Sequence, residues 1–244
     1  MKNGRKVLAV CMALAIAVFA LAGCASGNTS NSNANANKNN TANTNANANK
    51  NTSNTNSSSS SFDIGSLKVT ATATVTVEGY DPFTISLYGE EAPLTVENFT
   101  NLANQGFYDG LTFYRFVKDF CMQGGSSNNS AAMVNDGLSS IKGEFSSNGV
   151  NNALADHFTK GVVAMARSSQ PDSATSTFFV TLGSGTSVSR SLNGSYAAFG
   201  YIDDAGMAIV DSIVADYLGN VNDASSGSIT SVDKQAKIAS ITVK

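Results

Sequence analysis

The chain has 244 residues, 15 Lys and Arg against 18 Asp and Glu, one histidine, three cysteines and no tryptophan. A weakly acidic chain of this kind lacks the basic surface that holds phosphate backbones, which argues against a nucleic-acid binder. One histidine and three scattered cysteines do not make a zinc site or a disulfide framework.

The first 24 residues read MKNGRKVLAVCMALAIAVFALAGC. Lys2, Arg5 and Lys6 precede an apolar run, Val7 to Ala20, that is too short to span a bilayer comfortably. The ending Leu21-Ala22-Gly23-Cys24 resembles the bacterial lipoprotein signal, in which the chain is cut before the cysteine and that cysteine is lipidated. This resemblance implies a signal peptide over residues 1–23, lipidation at Cys24, and a mature chain anchored on the extracytoplasmic face of the cell membrane. Residues 25 to 61 are almost wholly Asn, Ser, Thr and Ala, with no aromatic, no branched aliphatic and no acid. Such a segment cannot bury enough apolar surface to offset its ordering entropy, so residues 24–61 are expected to form a lipidated, disordered tether. As a flexible coil it spans roughly 35 Å end to end.

Residues 62 to 244 are expected to form one folded domain, long enough for a substantial core. All 18 acids and 10 of the bases fall here, a net charge of −8. The stretch 67–77, LKVTATATVTV, alternates with period two and predicts a half-buried strand. Residues 83–88 are its hairpin partner across a turn at 78–82. In APLTVENFTNLANQG, Val96, Phe99, Leu102 and Ala103 recur at helical spacing, with Pro93 in the first turn and Gly106 past the end. Short strands are expected at 111–116 and 120–123, a loop-rich region at 124–160, and strands again at 161–166, 177–182 and 197–202. A second helix is predicted over 203–217, where Met207, Val210, Ile213, Val214 and Tyr217 line one face and Asp203 or Asp204 caps it. A last strand covers 237–243. Many short strands with two helices predict a β-barrel or sandwich whose ends the helices close.

Several chemistries find no support. A Ser-His-Asp relay would have to use His157, and no G-x-S-x-G turn presents a serine. No phosphate-binding glycine motif occurs, and the acidic pairs Glu90-Glu91 and Asp203-Asp204 read as solvated turns. His157 reads as a loop histidine with a structural hydrogen bond. No metal and no cofactor is expected. What remains is FYRFVKDFCMQGG, residues 113–125, where Arg115 and Gln123 sit among aromatics on two strands joined by a turn through Lys118 and Asp119. Arg115 taken alone reads first as a surface cation stacked on a ring, or paired to Asp119. Of Phe178 and Phe179, alternation sends one to the core and the other to a groove, whereas Phe113 and Phe199 read as core. Cys121 reads as a buried thiol or as pocket lining.

Three segments in order, FYRF…FCMQGG, GVVAMAR…TFFV at 161–180 and SLNGSYAAFG at 191–200, resemble the F-H-R…F-M-x-Q-G-G, G-x-x-S-M-A…Q-F-F and W-L-D-G…F-G patterns of cyclophilin-type peptidyl-prolyl cis/trans isomerases. The resemblance runs from about Leu67 to Val243, with a bacterial look in IKGEFSSNGV. It implies a closed eight-stranded antiparallel β-barrel capped by two α-helices, and an outer groove for an X-Pro segment. Carried over by position, Arg115 matches the catalytic arginine. Phe120, Phe179 and Leu192 match the walls of the proline pocket, with Cys121 and Tyr196 at its lining and rim. Gln123 matches a substrate-orienting amide, and Ala166, Arg167 and Thr177 lie where the family holds the peptide backbone. Four positions depart from the pattern: Cys121 stands for a methionine, Thr177 for a glutamine, Ser191 for a tryptophan and Tyr196 for a histidine. The implied activity accelerates the folding of exported, proline-containing polypeptides by a monomer held on the membrane through its lipid. The alternative is a proline-peptide-binding chaperone or scaffold with little turnover, which the changes at Cys121 and Thr177 favour.

Overall fold

The computed structural model describes residues 62–132 and 137–244. The expected signal peptide, Cys24 and the tether lie outside the described residues. Eight strands, β1 (Ala71–Val77), β2 (Phe83–Leu87), β3 (Thr112–Val117), β4 (Cys121–Gly124), β5 (Val162–Met165), β6 (Phe178–Thr181), β7 (Ala198–Tyr201) and β8 (Ala236–Val243), close into a barrel in the order β1-β2-β7-β5-β6-β4-β3-β8. Every pairing is antiparallel. The Thr/Ala/Val alternation of β1 has the expected effect: Ala73, Val75 and Val77 are buried and the threonines between them are half-exposed. The seam is β1 on β8, where Ala73 faces Val243, and Thr72 and Lys244 exchange both backbone hydrogen bonds at 2.9 and 3.0 Å.

Three α-helices are present among the described residues, not two: α1 (Pro93–Asn104), α2 (Thr186–Leu192) and α3 (Asp204–Tyr217). The seven-residue α2 went unpredicted because TSVSRSL offers only Val188 and Leu192 as apolar anchors among poor helix formers. Those two side chains are buried, and packing rather than propensity holds the helix. In α3, Asp203 caps the first turn, its carboxylate accepting from the Gly206 N–H at 2.8 Å. Residue Ala92, at the equivalent position of α1, has no capping side chain. Glu144, from the long loop between β4 and β5, takes that place. Its two oxygens accept from the Leu94 and Thr95 N–H groups at 3.0 and 2.8 Å, and from the Thr95 hydroxyl at 2.7 Å.

Apolar side chains separate into two clusters. The first fills the barrel interior with Val75, Ile85, Phe113, Phe116, Met122, Val163, Phe178 and Phe199, joined by Phe99 and Leu102 of α1 and by Met207, Val210 and Ile213 of α3. The second lies on the other face of β4, β5, β6 and β7, and contains Cys121, Val162, Ala164, Phe179 and Ala198. Phe145, Leu154 and Phe158 of the long loop and Val188 and Leu192 of α2 cover it. The long loop is pinned there by Asn152, whose amide donates to the Glu144 and Ala198 carbonyls at 2.9 and 2.8 Å.

Candidate active site

The outer wall carries one lateral row of facing residues. Arg115 on β3 faces Gln123 on β4, which faces Phe179 on β6; Phe179 faces Ala164 on β5, and Ala164 faces Ala198 on β7. The two alanines leave room for the Phe179 ring, which stacks on Phe158 (centroids 6.2 Å apart) and meets the edge of Tyr196 at 5.6 Å. Its neighbour Phe178 points into the barrel, where it packs edge-on against Phe99, Tyr108 and Phe113. The alternation expected of this pair is therefore observed. Phe113 and Phe199 lie in the interior, also as expected.

Simple alternation would have placed Arg115 on the same side as Phe113, inside the barrel. The register of β3 on β4 slips between Phe113 and Arg115, so that Tyr114 is an extra residue, a β-bulge. Inward positions on β3 are thus Phe113 and Phe116, three apart, and Arg115 turns outward. The opposite edge of β3 is held by residues 227–229: the Phe116 N–H donates to the Gly227 carbonyl and the Ile229 N–H to the Tyr114 carbonyl, each at 2.8 Å. Gly227 has φ +76°, and a Cβ there would meet Val117 Cγ2 at 2.5 Å, which leaves the turn to glycine. The Gln-Gly-Gly stretch has a similar origin. A Cβ on Gly124 would lie 2.5 Å from the Thr112 carbonyl, and one on Gly125, at φ +80°, 2.9 Å from the Tyr108 ring.

Arg115 is fixed by three protein groups. Nε donates to the Ser226 carbonyl at 2.6 Å, and Nη1 donates to Gln123 Oε1 at 3.0 Å and to Cys121 Sγ at 3.0 Å. The Phe120 ring centroid lies 5.9 Å from its Cζ. The pairing with Asp119 weighed from the sequence is not formed. Asp119 adopts φ +56° in the β3–β4 turn and is exposed. Gln123 completes its own amide by donating from Nε2 to the Tyr114 hydroxyl at 2.9 Å. Arg115, Gln123, Phe120, Ala166, Thr177 and Tyr196 are partly open to solvent, whereas Cys121, Phe179 and Leu192 are enclosed. Burial pushes the Cys121 thiol up to about 11, against the pull of the Arg115 charge, so it is a neutral thiol at physiological pH. Burial likewise pushes the Tyr114 phenol up to about 12.

Arg167 forms the far flank. Its guanidinium lies 4.8 Å from the Tyr196 ring centroid and 5.1 Å from that of Phe145, and it donates to the Ser195 and Ser168 carbonyls at 2.9 Å each. The Ala166 N–H is occupied by the Thr177 carbonyl at 2.9 Å. His157 is exposed, shares a 2.8 Å hydrogen bond between Nδ1 and the Ala153 carbonyl, and stacks on Phe62 at 4.1 Å. Among the described residues no cluster of three His, Cys, Asp or Glu side chains is placed to hold a metal ion. Tyr114, Ser226, Phe145 and Phe158 belong to this site and were not singled out from the sequence. Tyr114 adjoins Arg115 in the chain, but only the bulge turns it to the same partner.

The site therefore combines a fixed cation, an oriented amide and an enclosed aromatic wall on the outside of a closed barrel. The family model of cyclophilin type peptidyl-prolyl cis-trans isomerase/CLD matches residues 71–243, which span all eight strands. The chain belongs to this family. A peptidyl-prolyl cis-trans isomerase of Acinetobacter baylyi is 36% identical over 162 residues, covering 66% of this chain and 79% of that one. Another, of Streptomyces antibioticus, is 38% identical over 133 residues, covering 53% and 75%. A cyclophilin-type isomerase of Cryptosporidium parvum, crystallised in the presence of the dipeptide Ala-Pro, shares the fold with a TM-score of 0.55 at 22% identity, over 71% of this chain and 98% of that one. The chain is thus a cyclophilin-type peptidyl-prolyl cis-trans isomerase, and its eight-stranded closed barrel is the cyclophilin barrel, here with a third short helix. Leu192 reaches the outer wall of this cyclophilin because α2 carries it there.

Proposed function

We propose that Arg115 is the catalytic residue of this isomerase and that its substrates are proline-containing segments of exported proteins. An X-Pro amide isomerises over tens of seconds unaided because its resonance must be broken. No bond is cleaved, so the reaction needs no nucleophile, metal or redox group. In the twisted transition state the prolyl nitrogen gains a lone pair that the planar ground state lacks. A guanidinium donates a hydrogen bond to that lone pair and so binds the transition state better than the substrate. The observation that carries this reading is the anchoring of Arg115. Nε and Nη1 are committed to Ser226, Gln123 and Cys121, while Nη2 has no partner among the described residues. The cation is preorganised, and one edge of it remains to act.

In this reading the Phe179 ring, with Phe120 and Leu192, grips the proline, Cys121 backs that wall, and Tyr196 forms the rim. Gln123 orients the peptide, and Ala166, Arg167 and Thr177 border the preceding residues. Exchange NMR of one X-Pro peptide measures the rate directly. Arg115→Ala is expected to lower kcat about a hundredfold with peptide affinity little changed. A variant that keeps the wild-type rate would remove Arg115 from the mechanism.

The leader and tether support the cellular half of the proposal: a monomer on the extracytoplasmic face, held to the membrane through lipidated Cys24 and reaching out on residues 25–61. Cys24→Ala is expected to stop incorporation of labelled palmitate and to release the protein from the membrane fraction. Unchanged labelling would rule out this anchor. A net charge of −8 over 62–244 argues against nucleic acid as a partner.

A further inference from the structure

The hydrogen bonds around Gln123 form a chain that starts outside the groove residues named above. We infer that Tyr114 is a positioning residue for the isomerisation, its hydroxyl anchoring the Gln123 side chain whose amide oxygen fixes Arg115. This rests on the reading of Arg115 as the catalytic donor.

A side-chain amide has two nearly isosteric orientations, and hydrogen bonding must choose between them. Here the arginine makes the choice, and the tyrosine tethers the far end of the amide. Arg115 only donates, so Gln123 Oε1 faces Nη1 at 3.0 Å. The Nε2 amine then needs an acceptor, and the Tyr114 oxygen supplies it at 2.9 Å. Reversing the amide would bring two donors together at Arg115 and break that bond, while the Tyr114 hydroxyl, which can donate as well as accept, would keep a partner. The tyrosine is itself enclosed, only 1% exposed. Burial leaves little water to replace the hydroxyl if it is removed.

The bulge gives this arrangement its geometry. On a regular strand Tyr114 and Arg115 would point to opposite faces and could not share a partner. The extra residue sets both against Gln123, and residues 227–229 hold the bulge in place by bonding the Tyr114 carbonyl and the Phe116 N–H.

Tyr114→Phe keeps the buried ring and removes only the hydroxyl. In the full-length protein this variant, Gln123→Ala and the double variant are compared by exchange NMR for kcat and by peptide titration for Kd, with the Gln123 side-chain amide signals as a separate readout. Tyr114→Phe is expected to shift those signals, to lower kcat about three- to tenfold and to leave Kd within about twofold. The double variant is expected to be no slower than Gln123→Ala, because both changes break one chain. Unmoved Gln123 signals, a wild-type kcat, or losses that multiply in the double variant would each overturn the assignment. Failure of the catalytic reading shows separately, as an Arg115→Ala protein with undiminished kcat.

Discussion

Arg115, Gln123, Tyr114 and Cys121 work on one another through contacts of 2.9 to 3.0 Å, and none of them titrates near neutrality. The guanidinium is permanently charged. Burial lifts Cys121 to about 11 and Tyr114 to about 12. A group raised in this way keeps its protonated form through the physiological range and loses it only as pH rises toward the raised value. The enzyme-bound rate is therefore expected to be flat from about pH 6 to about 9, measured by exchange NMR at saturating peptide. The single histidine, His157, contacts Ala153 and Phe62 rather than any of these groups. A sigmoidal change within that range would overturn this expectation. The row of Arg115, Gln123 and Phe179 was legible because the sequence openly displays an arginine and a glutamine at fixed spacing and a paired Phe-Phe. The Arg115 environment was not, because its acceptor at Ser226 lies 111 residues away and is a backbone carbonyl, which no side-chain pattern announces.

At the scale of elements, the strands and the two longer helices followed from periodicity, with bounds shifted by a residue or so. The β1 expectation was longer: residues 67–70 precede the observed strand. Two features depended on partners remote in sequence. The bulge at Tyr114 is stabilised by residues 227–229, and α2 by the wall its Val188 and Leu192 cover. The start of α1 is a third case. It has no cap of its own, and Glu144, 3% exposed, serves two N–H groups and a hydroxyl from a distant loop. Glu144→Ala strands three donors, two of them buried, and removes a charge from the positive end of the helix. It is expected to cost about 2–4 kcal/mol in urea unfolding. A loss below about 1 kcal/mol would mean that water replaces the carboxylate.

For the whole molecule, the barrel separates two apolar clusters that do different work. The interior is filled by rings and aliphatics from every strand and from α1 and α3, and it supplies stability. The outer cluster lies on four strands and is covered by loop and α2, leaving Phe120, Ala166 and Tyr196 only partly buried at its margin. Strand alternation predicts that two faces exist. It does not say which loop covers the outer one, so nothing marked Phe145 and Phe158, within the loop-rich region 124–160, as its cover.

Closure of the sheet at the β1–β8 seam carries a consequence for how a visiting chain is met. Each strand of a closed barrel already has a neighbour on both sides, so no edge is free for a guest to lengthen the sheet. Recognition is left to rings and to a few polar groups on the convex wall. Proline suits such a surface, since it has no N–H to offer a ladder and presents a compact apolar ring instead. A barrel without edges thus has no free strand to pair with a visiting peptide, and side chains on its wall must do the holding.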